Sequence, residues 1–199
     1  MALIQDILKG LDGYNYPSLP KNVEISIPDA EKRLRGGLEY FVKQFTSGRR
    51  KAEWSESNYR PIVEWLQCNQ GKGLLMAGTC GLGKSLIGVR ILPILINDVH
   101  KLVVNCYDAQ SMNANPDDVI NKHLISIDDV GTEGAANIYG NKRFVFPEIV
   151  DAAEKRGKLL IISTNLTVTE MAQKYGERTI DRLRAITKFV PFGGESLRK

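Results

Sequence analysis

Gly78-Thr79-Cys80-Gly81-Leu82-Gly83-Lys84-Ser85 follows a short apolar run, Leu74–Ala77, and opens an apolar helical stretch, Lys84–Asp98. The octet has the spacing G-x-x-x-x-G-K-[ST], and the fold turns on it. Glycines let successive backbone N–H groups turn inward around an anion. The helix beginning at Lys84 aims its positive end at the same point. The lysine then reaches the outer phosphates of a nucleotide, and the hydroxyl after it ligates Mg²⁺. Average residue usage produces such an octet by chance in about one chain in a hundred of this length. Here a strand precedes it and a helix follows, which disfavours a ligand-free glycine turn. The expected nucleotide contacts are Gly78, Thr79, Cys80, Gly81, Leu82, Gly83, Lys84, Ser85 and Leu86, with ATP as ligand, Lys84 acting on its phosphates and Ser85 on Mg²⁺.

Outward from the octet, short apolar runs alternate with helical patterns. Strands are expected at Leu74–Ala77, Leu102–Tyr107, Leu124–Ile127, Leu159–Ser163 and Phe189–Phe192. Between them fall helices at Lys84–Asp98 (with a kink at Pro93), Pro116–Asn121, Arg143–Arg156, Val168–Tyr175 and Glu177–Ile186. Continuous apolar strands separated by helices mean an α/β fold, a five-stranded parallel sheet covered on both faces. Upstream, residues 1–53 read as a short N-terminal helical extension, and residues 54–199 as the nucleotide-binding domain. In the extension Asp29 is placed to cap a helix carrying Ala30, Leu34, Leu38, Phe41, Val42 and Phe45 at helical spacing. Pro61 suits the first turn of a second helix, Pro61–Cys68.

Two further strands end in chemistry. Leu124-Ile125-Ser126-Ile127 runs into Asp128-Asp129, where Asp128 is placed to hold Mg²⁺ and Asp129 to orient or deprotonate an attacking water. Adjacent acids at a strand end are ordinary turn residues by themselves; following a phosphate loop they acquire the catalytic meaning. Glu133, just beyond, is close enough in sequence to assist them, though a loop carboxylate is the simpler reading. Leu159–Ser163 runs into Thr164-Asn165, and Asn165 either reaches the γ-phosphate side of the site or caps the next helix. In Glu177–Arg184, Arg178 and Arg182 share one helix face, which in isolation reads as a solvated, ion-paired surface.

Composition excludes several classes. The chain has 199 residues, 43% hydrophobic and 25% charged, a soluble globular mix. The net charge of +4 permits nucleic-acid contact without requiring it. The densest basic run is Arg49-Arg50-Lys51. Three cysteines, an odd number with no metal-site spacing, speak against a disulfide framework and for the cytoplasm. Met1–Gly10 lacks a basic n-region, so no secretory leader is expected. No apolar run reaches the ~20 residues of a membrane span.

The order of these motifs resembles the DnaC/IstB-type branch of AAA+ ATPases, the helicase loaders and transposition helpers. The resemblance covers roughly Tyr59–Arg198 and rests on GTCGLGKS, ISIDDVGTE, IISTNLT, YGERTIDRL and the ending PFGGESLR. It implies a P-loop AAA+ core, a sensor at Asn165, and an arginine finger at Arg178, with Arg182 as the other candidate. Catalytic residues would then be Lys84, Asp129, Asn165 and one or both of Arg178 and Arg182; the metal ligands would be Ser85 and Asp128. It implies self-association that completes each ATP site in trans, with a replicative helicase and single-stranded DNA as partners in DNA replication. Many AAA+ proteins carry Glu where this chain has Asp129, and no C-terminal helical lid is expected, since Lys199 closely follows the last strand. Residues 1–53 match no module of the resemblance and are a possible partner-binding segment. The alternatives are an IstB-like transposition helper and a nucleotide-dependent binding module with little turnover. A small-molecule phosphotransferase would need an arginine-rich lid and an acceptor pocket, neither of which the sequence offers.

Overall fold

The structure, a computed structural model, describes residues 21–79, 81, 83–138 and 141–194, without the side chains of 136–138, 141 and 142. Cys80 and Leu82 of the phosphate loop, residues 1–20 of the extension and residues 195–199 lie outside the described residues.

Five strands form one parallel sheet: β1 (Gly73–Gly78), β2 (Asn105–Asp108), β3 (Leu124–Val130), β6 (Leu159–Thr164) and β7 (Thr187–Phe192), in the order β2-β3-β6-β1-β7. A separate antiparallel hairpin joins β4 (Ala136–Ile138) to β5 (Asn141–Arg143). Every residue of β6 is buried, as are the first five of β1. This is why these runs are continuously apolar. Alternate residues serve opposite layers: Leu74, Met76, Leu159 and Ile161 face one core, while Leu75, Leu160 and Ile162 face the other.

The first layer holds α1 (Ala30–Phe45), α2 (Glu56–Gln67) and the helix that follows the phosphate loop. The second holds α5 (Ala109–Ala114), α6 (Pro116–Asn121), α7 (Val145–Arg156), α8 (Val168–Tyr175) and α9 (Glu177–Ile186). The five-stranded parallel architecture meets the expectation from periodicity.

Part of the expected extension packs on the sheet. Ile25, Ile27, Ala30, Leu34 and Leu38 are all buried in the same core as Leu74, Met76 and Ile161. The Asn69 side chain donates to Val23 O at 2.9 Å and accepts from the Ile25 N–H at 2.8 Å, tying the lead-in to α1 onto the end of α2. Two helix starts also differ from expectation. Asp29 occupies the cap position of α1 in a left-handed conformation (φ 52°) and makes no side-chain cap bond. Helix α2 begins at Glu56, where Ser55 Oγ accepts from the Asn58 N–H, so Pro61 lies inside the helix rather than at its start.

The helix after the phosphate loop is composite: α3 (Lys84–Leu86), a π-helical turn (Ile87–Ile91) and α4 (Leu92–His100). The irregularity expected at Pro93 takes this form for an identifiable reason. Pro93 has no N–H, so an α-type bond from Val89 C=O and a π-type bond from Gly88 C=O both lack their donor. Neighbouring strands supply replacements: Ser126 Oγ donates to Gly88 O at 2.9 Å, and the Cys106 thiol donates to Val89 O at 3.7 Å.

Candidate nucleotide site at the carboxyl edge of the sheet

Strands β3, β6 and β1 are consecutive neighbours, and being parallel they end on the same edge. The sheet therefore gathers the acids after β3, Thr164-Asn165 after β6 and the glycine loop after β1, although long stretches of chain separate them. In open parallel sheets this edge is where ligands bind.

The loop's backbone carries the strain that its glycines permit. Gly78, Gly81 and Gly83 have φ of 152°, 86° and 86°. A Cβ at Gly78 would stand 2.0 Å from Phe192 O, so only glycine lets the loop leave β1 beside β7. Lys84 opens α3 and is 4% exposed. Its ammonium donates to Gly78 O and Thr79 O, both at 2.8 Å, and to Asn165 Oδ1 at 3.0 Å. Burial of a cation in this manner requires such partners. Ser85 and Leu86 follow on α3 and are partly exposed.

At the end of β3 the pairing with β6 slips. Ile127 pairs with Ile162, yet Val130 pairs with Thr164, so β3 carries one extra residue across Asp128-Asp129. Asp129 takes the left-handed conformation (φ 52°) that this requires, and Asp is among the residues that tolerate it. The bulge re-aims two adjacent carboxylates that a regular strand would send to opposite faces. Ser163 fixes both. Its hydroxyl donates to Asp128 Oδ1 and accepts from the Asp129 N–H at 3.1 Å. Asn165 Nδ2 donates to Asp129 Oδ1 at 3.3 Å. Asn165 thereby bridges Lys84 and Asp129, and its side chain faces the site rather than capping α8; Thr167 caps that helix in a capping box with Glu170.

The oxygen donors fit Mg²⁺, a hard cation that favours carboxylate, hydroxyl and water. Among the described residues Asp128 has one side-chain bond, from Ser163, leaving its second carboxylate oxygen uncommitted. Ser85 supplies a hydroxyl from the far side of the loop. No cluster of three or more His, Cys, Asp or Glu that could hold a metal exists among the described residues.

The two arginines of α9 part company. Arg182 is committed within the chain: it donates through Nε to Glu154 at 2.9 Å and pairs through its guanidinium with Asp151, both on α7. Arg178 is exposed and forms no ion pair or hydrogen bond among the described residues. The expected surface pairing of this helix thus applies to Arg182 alone.

Two residues, Ser163 and Tyr175, escaped the sequence reading, and a third, Glu133, reads there chiefly as a loop carboxylate. Ser163 was only the polar last residue of an apolar run, and its link to both acids follows from the strand register. Glu133, read as a loop carboxylate, is 6% exposed; Oε2 accepts from the Gly131 N–H at 2.8 Å and Oε1 accepts from the Tyr175 hydroxyl. Burial and that carboxylate together push the Tyr175 phenol well above its ordinary pKa.

No protein-family model matches the sequence, and no curated protein matches it. Among solved structures the chain is similar to the DnaC helicase loader, with a TM-score of 0.53 and 19% identity over 92% of this chain and 96% of that one. It is similar to DnaI (TM-score 0.51, 18% identity, 85% of each chain). It is also similar to AMPPCP-bound DnaA from Aquifex aeolicus (TM-score 0.51, 16% identity, 74% of this chain and 50% of that one). At these identities the likeness is one of fold, and it is the fold that the motif order resembled: an α/β P-loop core of the DnaC type.

Proposed function

We propose that the chain is an AAA+ ATPase of the DnaC type that binds Mg-ATP at the carboxyl edge of its sheet, hydrolyses it, and acts in DNA replication as a helicase loader on single-stranded DNA. One observation carries the enzymatic part. Lys84 bonds Asn165 and Asn165 bonds Asp129, so the phosphate-binding lysine, the polar end of β6 and the acid after β3 form one connected set. A structural lysine or a surface acid would have no reason to meet there.

In this reading the loop amides and the α3 terminus bind the phosphates, and Lys84 neutralises charge on the β- and γ-oxygens. Ser85 and Asp128 hold Mg²⁺, which when bound offsets phosphate charge in the transition state. Asp129, oriented by Asn165 and by the bulge, orients water and takes its proton. Arg178 reaches the site of a neighbouring copy, which makes self-association part of the reaction. The replicative helicase is the partner suggested by the likeness to DnaC. Among the described residues of the 1–53 segment, the end of α1 exposes Tyr40 and Phe45 and is followed in sequence by Arg49-Arg50-Lys51, a surface open to a partner. A helicase and single-stranded DNA as partners would be met in the cytoplasm. No helix of the described residues is long and apolar enough to cross a membrane.

Calorimetric titration of Lys84→Ala with Mg-ATP tests the site. Binding should be lost with the fold retained, because the bonds of Lys84 go to the loop carbonyls and to Asn165; unchanged affinity would sink the assignment. A pull-down with a non-hydrolysing ATP analogue tests the role. Recovery of a hexameric helicase supports the loader, and recovery of a transposase instead would replace it with a transposition helper.

A further inference from the structure

The buried carboxylate of Glu133 has no part in the nucleotide site just described, yet it stands between that site and the helix carrying Arg178. Behind Asp129 the chain makes a tight turn: the Thr132 N–H and hydroxyl both donate to Asp129 O, at 3.2 and 2.9 Å. Gly131 within it has φ 112°, a conformation that favours glycine, and packs against the Leu166 side chain just after β6. Its other side is held from α8. Glu133 accepts from the Gly131 N–H and from Tyr175, and Lys174 Nζ donates to Gly131 O and Glu133 O, each at 2.6 Å. The Tyr175 ring is itself wedged against Phe146, centroids 4.8 Å apart. From Tyr175 the connection continues directly. Gly176 (φ 85°) breaks the chain between helices, and Thr179 Oγ1, in the first turn of α9, donates back to Tyr175 O at 2.9 Å. Arg178 lies within this closed turn, immediately before Thr179.

We infer that Glu133, Lys174 and Tyr175 form a latch that holds the turn behind Asp129 in register with the start of α9, so that the acid of one ATP site and the arginine offered to the next move as a unit. They are positioning residues; none touches the nucleotide set Lys84–Asn165–Asp129. The inference rests on the roles proposed above for Asp129 and Arg178. Two of these contacts, from the Gly131 N–H to Glu133 and from Lys174 to Gly131 O, fall on the turn itself, and the other two tie Glu133, the next residue, to α8.

Tyr175→Phe removes one hydroxyl and leaves the ring in place; Glu133→Gln keeps an acceptor and removes the charge. Mg-ATP affinity, turnover and melting temperature are measured for both and for the double variant. Each single variant should bind Mg-ATP normally and turn over about 10- to 100-fold more slowly, the size of effect expected from slight misplacement of a reacting group. The double variant should be no slower than the worse single one, since both cut the same link. Lys174→Met, which leaves Glu133 and Tyr175 paired, should slow turnover in the same direction and serves if Tyr175→Phe fails to fold. A second arm mixes Arg178→Ala subunits, which keep their pocket, with Lys84→Ala subunits, which keep their arginine. Adding Tyr175→Phe to the arginine-donating subunit should weaken the rescue. Normal turnover in the variants, multiplicative losses in the double, or undiminished rescue would each overturn the latch while leaving the ATPase reading intact. A wild type that binds no Mg-ATP would overturn that reading first, and the latch with it.

Discussion

The carboxyl edge of the sheet and the helical buttress of α1 and α2 are built on opposite terms. At the edge, a buried lysine, a left-handed aspartate, a strand bulge and three positive-φ glycines lie together, each held by polar contacts to another strand. In the buttress the working parts are apolar. Leu34, Ile62, Trp65 and Leu66 are essentially inaccessible, and the charged groups, Glu31, Arg35, Glu56 and Arg60, lie outside as exposed pairs. Arg35 also covers the Trp54 ring at 3.7 Å. The contrast teaches where a substitution is felt: at the edge as lost chemistry with the fold kept, in the buttress as lost stability with the chemistry kept.

Four changes press on that contrast. The largest effect belongs to Arg178→Ala. If the arginine completes a neighbour's site, ATP binding stays normal and turnover falls about 10³–10⁵-fold, with partial recovery on mixing with Lys84→Ala; near-normal turnover would leave a monomeric site. Next, Leu34→Ala should cost about 2–5 kcal/mol of stability, the range for truncating a fully buried leucine. Denaturant unfolding measures it, and the folded fraction should titrate with Mg-ATP as the wild type does; altered affinity would make the buttress part of the site. Asp129→Asn should reduce turnover about 10²-fold with affinity preserved, read by steady-state hydrolysis. Should it survive while Glu133→Gln alone is dead with Tyr175→Phe unaffected, Glu133 is the base. The smallest effect is expected of Arg182→Ala. Its pairs with Asp151 and Glu154 are only partly shielded, so the loss should be about 1 kcal/mol, or about 2–4 °C in melting temperature for a chain of this size, with hydrolysis unimpaired.

Much of this was legible in the sequence because it depends on short-range pattern. The strands β1, β3 and β6 are apolar runs with polar ends, and α8 and α9 announce their limits through Thr167, Gly176 and Glu177. What was not legible depends on relations between distant segments. The bulge at Asp128-Asp129 is a mismatch between β3 and β6 and exists in neither alone. Whether an arginine on α9 is free or bound depends on whether α7 brings acids to it, which is why Arg178 and Arg182 looked alike in sequence. The packing upstream of residue 53 was hidden for a related reason: Gly and Pro punctuation marks turns, whereas the shared burial of Ile25 and Leu34 with β1 joins segments far apart in the chain. At α2 a proline outweighed Ser55, although the serine cap carries the hydrogen bond.

The π-helical turn beneath the phosphate loop has a consequence for how the sequence can drift. Ser126 hydroxyl on β3 answers a carbonyl that Pro93 leaves without an amide, so residues 33 positions apart are bound in descent. A lineage that first regains an N–H at 93 frees position 126 to become alanine. One that loses the serine first leaves a carbonyl unanswered in the P-loop helix, at a cost of about 1–3 kcal/mol. The two positions should therefore change in one order far more often than in the other, a historical asymmetry written by a single missing hydrogen.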